Sequence, residues 1–364
     1  RAGRLEDADR MLTEAGRLTE SRFGRQSPEW MAHQNHVQVL RAGQGRLREA
    51  LAAMRQTEPY WPSIPPDQQQ LRLVLQRNTI AIQIRLGEYA GLEARMQALL
   101  PEMDKLMGAG NDLSAGFRHE LARLFTETAQ PARALVQREE NLARAQAAGV
   151  QHPGVLLPLQ VHVLLARAQL QAPGPATAAQ AAALAALAQQ TRELLARVNA
   201  EGARLGYARA EAWINLTRLG LALDNAALAA EAFAPLRADA GLHLERDVLL
   251  ASRVAQMEGE LARLQGDLPR SAALLRQRLA VFDRPGDRQI LPGWVAALDL
   301  ACTLVLQGDP GAAAALADAT ARRPPGAPAG HPLDAMTDAL AEALRQGRPP
   351  PAAVGLGSFR GTLI

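Results

Sequence analysis

The stretch AGQGRLREAL, residues 42–51, predicts the fold because its Gly, Leu and Ala positions recur at a fixed interval along the chain. GRLEDA begins at residue 3, GRLREA at residue 45, GEYAGL at residue 87 and AQPARA at residue 129, so successive starts lie 42 residues apart. Self-similarity at a period of this length is the sequence signature of repeat architectures. The stretch is therefore one copy of a repeated turn.

The same turn returns in the second half of the chain. DNAALA begins at residue 224, GDLPRS at residue 266 and GDPGAA at residue 308, again at intervals of 42. Between the two sets lie 95 residues, which is two periods plus 11 residues. QAPGPA, near residue 171, supplies the missing turn. The 11 extra residues, about three helical turns, predict a long helix or an insertion near residues 172–205.

Each period contains two amphipathic stretches, one on either side of the turn. Proline- and glycine-rich segments such as EPYWPSIPP, GVQHPG and FDRPGD separate one period from the next. This pattern predicts an antiparallel helix pair, and such pairs bury their apolar faces by stacking on their neighbours. We expect an all-α protein: a right-handed α-solenoid of about eight helix-turn-helix units over residues 1–348, followed by a flexible tail at residues 349–364.

The composition supports the helical prediction. Hydrophobic residues make up 48% of the chain but aromatic residues only 4%, and runs of the Val-, Ile- and Thr-rich type that form strands are nearly absent. The formal net charge is +3, and Lys105 is the only lysine. The arginines alternate with acidic residues, as in LEDADR and QREENLAR, which is typical of solvated helix faces. We therefore expect no contact with nucleic acid.

Other features of the sequence exclude several kinds of site. A single cysteine, Cys302, excludes an intramolecular disulfide, and its apolar surroundings in LDLACTLVL predict a buried core residue. The seven histidines lack the spacing of metal ligands, so neither a metal nor another cofactor is expected. The most alanine-rich segment is too weakly apolar to span a bilayer. We predict no membrane insertion and a cytoplasmic location, with an exported domain of a membrane-anchored protein as the alternative.

Residues 211–233, EAWINLTRLGLALDNAALAAEAF, carry a resemblance to a known family. Trp213, Leu216, Ala229 and Phe233 occupy the places of the Trp, Leu, small residue and Phe of a tetratricopeptide repeat. The 42-residue period exceeds the usual 34, and is similar to the long-repeat subclass of kinesin light chains and many bacterial signalling proteins. The His-Pro pairs in GVQHP and AGHPLD resemble the loop that ends such repeats.

The resemblance implies a binding groove lined by the first helix of each pair, where an Asn near the helix centre holds a peptide. Asn215 matches that place, and Arg218 shares its face. Arg123 takes the equivalent place in an earlier unit, with His119 one turn before it. An arginine beside an amide suits a carboxylate or an acidic peptide. The alternative is that these four are ordinary solvated groove residues.

Tyr60 and Trp61, in the proline-rich EPYWPSIPP, place two large rings near the centre of one loop. They predict either an exposed contact for a partner or rings that fold back to cover a seam between repeats.

The sequence favours a binding module over an enzyme, because no set of nucleophile, base and oxyanion donors is recognisable. We expect a non-catalytic scaffold that binds a protein or peptide, as the interaction or sensing region of a larger bacterial regulatory protein. The resemblance and the start at Arg1 suggest the C-terminal region of such a protein. A Ser/Thr kinase whose catalytic domain lies upstream, or a winged-helix regulator, would fit. An enzyme on a helical scaffold and an RNA-binding repeat protein are the other classes to test.

Overall fold

The computed structural model describes residues 5–108, 111–171, 177–206, 208–242, 244, 248–283 and 290–348. These residues form α-helices and short 3₁₀ turns, and no β-strand occurs among them, so the all-α prediction is confirmed. The helices are α1 (Leu5–Phe23), α2 (Pro28–Gly43), α3 (Leu47–Arg55), α4 (Gln69–Arg85), α5 (Leu92–Met107), α6 (Asp112–Glu127), α7 (Pro131–Ala147), α8 (Pro153–Gln169), α9 (Ala178–Ala200), α10 (Gly202–Leu205), α11 (Ala208–Ala222), α12 (Ala226–Ala238), α13 (Val248–Leu264), α14 (Leu268–Ala280), α15 (Leu291–Gln307), α16 (Ala312–Ala321) and α17 (Pro332–Gln346).

Helices on either side of a repeated turn pack against each other. The most extensive pairs are α11 with α12, α13 with α14, α6 with α7, and α15 with α16. The first helices of neighbouring pairs also meet, since α2 contacts α4, α4 contacts α6, α8 contacts α11, α11 contacts α13 and α15 contacts α17. The first helices therefore lie side by side in a row. Residues at equivalent positions on adjacent first helices can contact each other.

The recurring turn has the same backbone conformation at each described copy. In every case a residue just after the first helix has a positive φ, which glycine adopts without a Cβ clash. The residues and their φ values are Gly45 (76°), Gly87 (75°), Ala129 (60°), Asp224 (50°), Gly266 (83°) and Gly308 (66°). Ala129 and Asp224 adopt it although non-glycine residues do so uncommonly. The 42-residue spacing thus marks a real structural repeat of the turn.

Small residues bring paired helices close together. A Cβ added to Gly220 on α11 would lie 2.5 Å from the backbone nitrogen of Ala229 on α12 and 2.6 Å from its Cα. Ala50 on α3 and Ser271 on α14, at the small-residue place of their turns, are fully buried. The small residues of the repeated motif are therefore explained by packing.

The region of the 11 extra residues contains α9, which is 23 residues long. Thr177 and Gln180 form a capping box at its start, and α10 follows directly after its end. Residues 172–176, like the tail at 349–364, lie outside the described part.

Both His-Pro pairs begin helices. The Nδ1 atom of His152 accepts a hydrogen bond of 3.1 Å from the backbone N–H of Gly154 at the start of α8. His331 does the same at 3.1 Å for Leu333 at the start of α17. In each pair the proline occupies the first helical position, where it loses no helical hydrogen bond.

Helices of the N-terminal third contact the C-terminal quarter of the chain. Leu47, Leu51 and Leu86 share an apolar cluster with Phe282 and Ile290, which flank the connection between α14 and α15. The connection between α16 and α17 also reaches back, because a Cβ on Gly326 would collide with the carbonyl oxygen of Gly87. The row of helices therefore curves far enough for α3 and the turn after α4 to meet the connections on either side of α15 and α16.

Candidate binding cluster on α6, α8 and α11

Three of the four residues predicted to line a groove meet around one histidine that was not predicted. The ring of His119 on α6 packs against that of His162 on α8, with centroids 4.5 Å apart and planes at 48°. The Nε2 atom of His162 lies 3.4 Å from the Nδ2 atom of Asn215 on α11. Arg218, one turn further along α11, donates from NH1 to the Oδ1 atom of Asn215 at 3.0 Å. We call His119, His162, Asn215 and Arg218 the histidine cluster.

The hydrogen bonds of the cluster fix the protonation of His162. A guanidinium only donates, so Asn215 must present its oxygen to Arg218 and its amide nitrogen to His162. The Nε2 atom of His162 is then the acceptor, and the proton of the neutral ring lies on Nδ1. That Nδ1 atom is buried and has no hydrogen-bond partner among the described residues.

Arg138 on α7 reaches the same place. Its NH1 group lies 3.4 Å from the backbone carbonyl oxygen of His162, and its side chain is only 9% exposed. Its Nε atom is buried without a partner in the described part of the chain. Arg138 is thus a buried cation with one long hydrogen bond, which is unusual because buried charges are normally paired.

Burial lowers the pKa values of the histidines and arginines in and beside the cluster. It lowers the pKa of His119 to about 4 and holds the pKa of His162 well below its usual 6.5, with His119, Arg138 and Arg218 nearby adding to the effect on His162. Burial likewise lowers the pKa of Arg138 to about 10 and that of Arg218 to about 9. The two histidines are therefore neutral at pH 7, and the two arginines are charged in surroundings that disfavour charge.

Arg123, the fourth predicted residue, belongs to a separate network. Its Nε group donates to the Oε1 atom of Glu127 at 2.5 Å, and the hydroxyl of Tyr89 donates to the other oxygen of Glu127 at 2.9 Å. Burial lowers the pKa of Arg123, but the charges of Glu127 and Glu120 more than offset this, so its pKa is raised overall. Arg123 is therefore an ion-paired residue beside the histidine cluster.

Ion pairs also lie between the next first helices along the row. Arg253 on α13 binds Glu211 on α11 through both of its NH groups. Arg263, further along α13, donates from NH2 to Asp299 on α15 at 2.9 Å, and both side chains are buried. These contacts join neighbouring first helices by ion pairs.

Tyr60 and Trp61 were predicted either to form an exposed contact or to fold back over a seam between repeats. Trp61 is buried among Met54, Ile64 and Leu75, and its Nε1 group donates to the Oγ1 atom of Thr57 at 2.9 Å. Tyr60 is half-buried and meets the ring of Trp30 edge to face, with centroids 6.2 Å apart. The rings fold back onto the core, so Trp61 does not present an exposed contact.

His162 and Arg138 were missed by the sequence reasoning, although a signal for His162 exists. Asn215 precedes its turn at residue 224 by nine positions, and His162 precedes the turn near residue 171 by the same nine. Equivalent places on neighbouring first helices would have suggested a contact. Arg138 lies on a second helix, and nothing in the repeat pattern shows that it reaches inward.

No family model matches the chain, and no curated protein sequence matches it. Within the described ranges, no group of three or more His, Cys, Asp or Glu side chains is placed to hold a metal ion. None of the helices that the structure describes combines the length and apolar character needed to cross a membrane. Cys302 is buried on α15, as its apolar surroundings predicted.

Proposed function

We propose that the chain is a right-handed α-solenoid of about eight units of the tetratricopeptide type. The helix pairs, the positive φ in each described turn and the contacts between successive first helices support this proposal. The close approach of Gly220 to Ala229 is what the small residues of that motif would produce.

On this scaffold the proposed function is non-catalytic binding of a protein or peptide. The observation that carries it is the meeting of His119 from α6, His162 from α8 and the Asn215–Arg218 pair from α11 in one polar cluster. Asn215 and Arg218 are buried, whereas the rings of His119 and His162 are partly exposed. Partly exposed residues at this surface include His119, His162 and Glu211. A partner lying across the first helices would meet all of these.

The chemistry of the surface favours an acidic partner. Arg218 and Asn215 form the arginine–amide pair that suits a carboxylate, and the neutral histidines can exchange hydrogen bonds without repelling an acid. Arginine anchors of this kind carry a large share of the binding energy at interfaces. An acidic segment or a free carboxyl terminus is the expected ligand.

An array of acidic peptides with free carboxyl termini tests the proposal. Binding of the wild-type chain to its best peptides, measured by calorimetry, should weaken at least about tenfold in Arg218→Gln, since one buried charged contact is worth about 1.4 kcal/mol or more. The control is Arg167→Gln, which changes an arginine 45% exposed and paired with Glu139. Equal weakening in both variants, or no binding to any acidic peptide, would contradict the proposal.

We also propose that the binding module serves a larger bacterial regulatory protein, such as a Ser/Thr kinase or a winged-helix regulator. The resemblance to long-repeat signalling proteins is the support for this. The reading frame upstream of the codon for Arg1 tests it, because a kinase or winged-helix domain encoded there would support it and an unrelated domain would refute it.

A further inference from the structure

Helix α1 exposes two large apolar side chains on one face. The side chain of Met11 is 73% exposed and that of Leu18 is 57% exposed. Residues seven apart are separated by nearly two full helical turns, so Met11 and Leu18 point in the same direction. Single exposed apolar residues need no explanation, but two on one stripe form a surface that a second helix can cover.

The repeat shows how later units treat the position of Met11. Helix α1 follows the copy of the turn that begins at residue 3, so it holds the place of a second helix, and Met11 lies eight residues after that start. At the same offset Ala53, Ala232 and Leu316 are buried, on second helices that pack against a first helix. In α5 the counterpart is a charged residue, Arg95, which is exposed. An apolar and exposed residue at this position therefore indicates room for one more helix.

The residues on this face are arranged symmetrically along the helix. Asp7 lies four residues before Met11, and Arg22 lies four residues after Leu18. Steps of four, seven and four residues keep all of them on one stripe. If a second copy of α1 runs antiparallel about a two-fold axis between residues 14 and 15, Met11 of each copy meets Leu18 of the other. The same rotation sets Asp7 of each copy opposite Arg22 of the other.

The charges near the axis permit this approach. Glu14, which lies beside the axis, accepts a hydrogen bond of 2.6 Å from the NH2 group of Arg17 in its own helix, so its charge is compensated. The guanidinium of Arg22 lies 5.1 Å from the ring of Phe23, and no carboxylate of the described residues pairs with it. Asp7 pairs with Arg10, but its side chain is still 49% exposed. Asp7 and Arg22 are therefore both accessible to a second copy.

We propose that two copies of the chain associate through α1, with the two α1 helices antiparallel about a two-fold axis between residues 14 and 15. In such an interface each contact occurs twice, so the dimer contains two Met11–Leu18 contacts and two Asp7–Arg22 pairs. A helix of unrelated sequence could cover the apolar stripe, but it would not need charges of opposite sign at equal distances from the centre. The charge complementarity of the stripe with itself favours a second copy.

The expected dimer is weak. Helix α1 has 19 residues and is thus about 28 Å long. One helix pair of this length buries less than the roughly 800 Å² per partner of a standard interface. We expect a dissociation constant on the order of 10 μM.

This surface is separate from the peptide-binding function proposed above. The histidine cluster lies on α6, α8 and α11, whereas self-association concerns α1. Peptide binding and self-association are measured independently, so the failure of one proposal can be distinguished from the failure of the other.

Sedimentation equilibrium of the full chain over the micromolar range tests the dimer. The average mass of the wild type should rise from one chain to two as the concentration increases. Met11→Glu and Leu18→Glu should each raise the dissociation constant at least about tenfold, because a buried apolar contact is lost and a charge is placed against an apolar surface. The matched control is Val136→Glu on α7, which changes an apolar residue that is 65% exposed and should leave the dissociation constant unchanged. Circular dichroism checks that every variant is folded.

A charge exchange tests the antiparallel register. Asp7→Arg and Arg22→Asp each set like charges opposite one another, so at low ionic strength each should raise the dissociation constant at least about threefold. The double variant Asp7→Arg/Arg22→Asp sets opposite charges against each other again and should bind nearly as well as the wild type. Recovery in the double variant is expected only if residue 7 of one copy faces residue 22 of the other.

Several results would overturn the proposal. A wild type that stays monomeric throughout the micromolar range would assign the face to a helix of another protein or to one encoded upstream of Arg1. A dimer that Met11→Glu and Leu18→Glu do not weaken, or that Val136→Glu weakens equally, would place the interface elsewhere. A double charge variant that binds no better than its single variants would refute the antiparallel pairing.

Discussion

Gly220 offers the sharpest test of how closely the helix pairs are packed. A methyl group at this position on α11 would lie 2.5 Å from the nitrogen, 2.6 Å from the Cα and 2.9 Å from the Cβ of Ala229 on α12. Two of these three atoms belong to the backbone, so no side-chain rotation relieves the clash. Because carbon atoms pack at about 3.5–4.0 Å, Gly220→Ala must push α12 away by about 1 Å.

The expected loss follows from two opposing terms. Overpacking a close-packed contact costs about 1–3 kcal/mol, and it would disturb the fully buried Leu228 and the buried Phe233 nearby on α12. Replacing a helical glycine by alanine returns about 0.5–1 kcal/mol. We therefore expect Gly220→Ala to lower the free energy of unfolding by about 1–2 kcal/mol, as the difference of the two terms.

Urea denaturation followed by circular dichroism measures this loss as a lower midpoint at unchanged slope. The matched control is Gly43→Ala, at the exposed end of α2, where an added Cβ meets nothing within 4 Å. It should leave the midpoint unchanged or raise it. A Gly220→Ala protein as stable as the wild type would show that α11 and α12 are not in this close contact.

Three further predictions concern charge and burial. Acidification should destabilise the fold, because burial lowers the pKa of His331 to about 4 and the unfolded chain therefore takes up the proton at a higher pH than the folded chain. Thermal denaturation should show full stability above about pH 6.5 and a loss of at most about 3 kcal/mol per such histidine toward pH 4. The absence of this loss would mean that the buried histidines are not held neutral. In urea denaturation, Asp299→Asn should lower the free energy of unfolding by about 3–5 kcal/mol, because it leaves Arg263 buried without its acid. Glu139→Gln, in an exposed pair, should change it by no more than about 0.5 kcal/mol. Equally small effects of the two variants would refute the burial of the Arg263–Asp299 pair. The thiol of Cys302, only 2% exposed, should react with a thiol reagent at the rate of unfolding, and fast labelling of the native protein would contradict its placement in the core.

The sequence by itself determined the helical class and the places of the turns. A left-handed turn needs a residue that tolerates positive φ, and a tight pair needs small residues at fixed offsets, so both leave a local signal every 42 residues. That signal was strong enough to mark Ala129 and Asp224, which are not glycine but take the same conformation.

Only the tertiary structure decided which polar residues meet. Asn215 and His162 are 53 positions apart, and their contact depends on how α8 and α11 pack across the region that contains the long α9. Arg138 reaches the cluster from a second helix, while Arg123, on the expected face, turns to Glu127 instead. The contact of α3 with the connection between α14 and α15 likewise depends on how all the intervening helices stack. A local pattern records which face of a helix is polar, but the stacking of whole helices sets what that face touches.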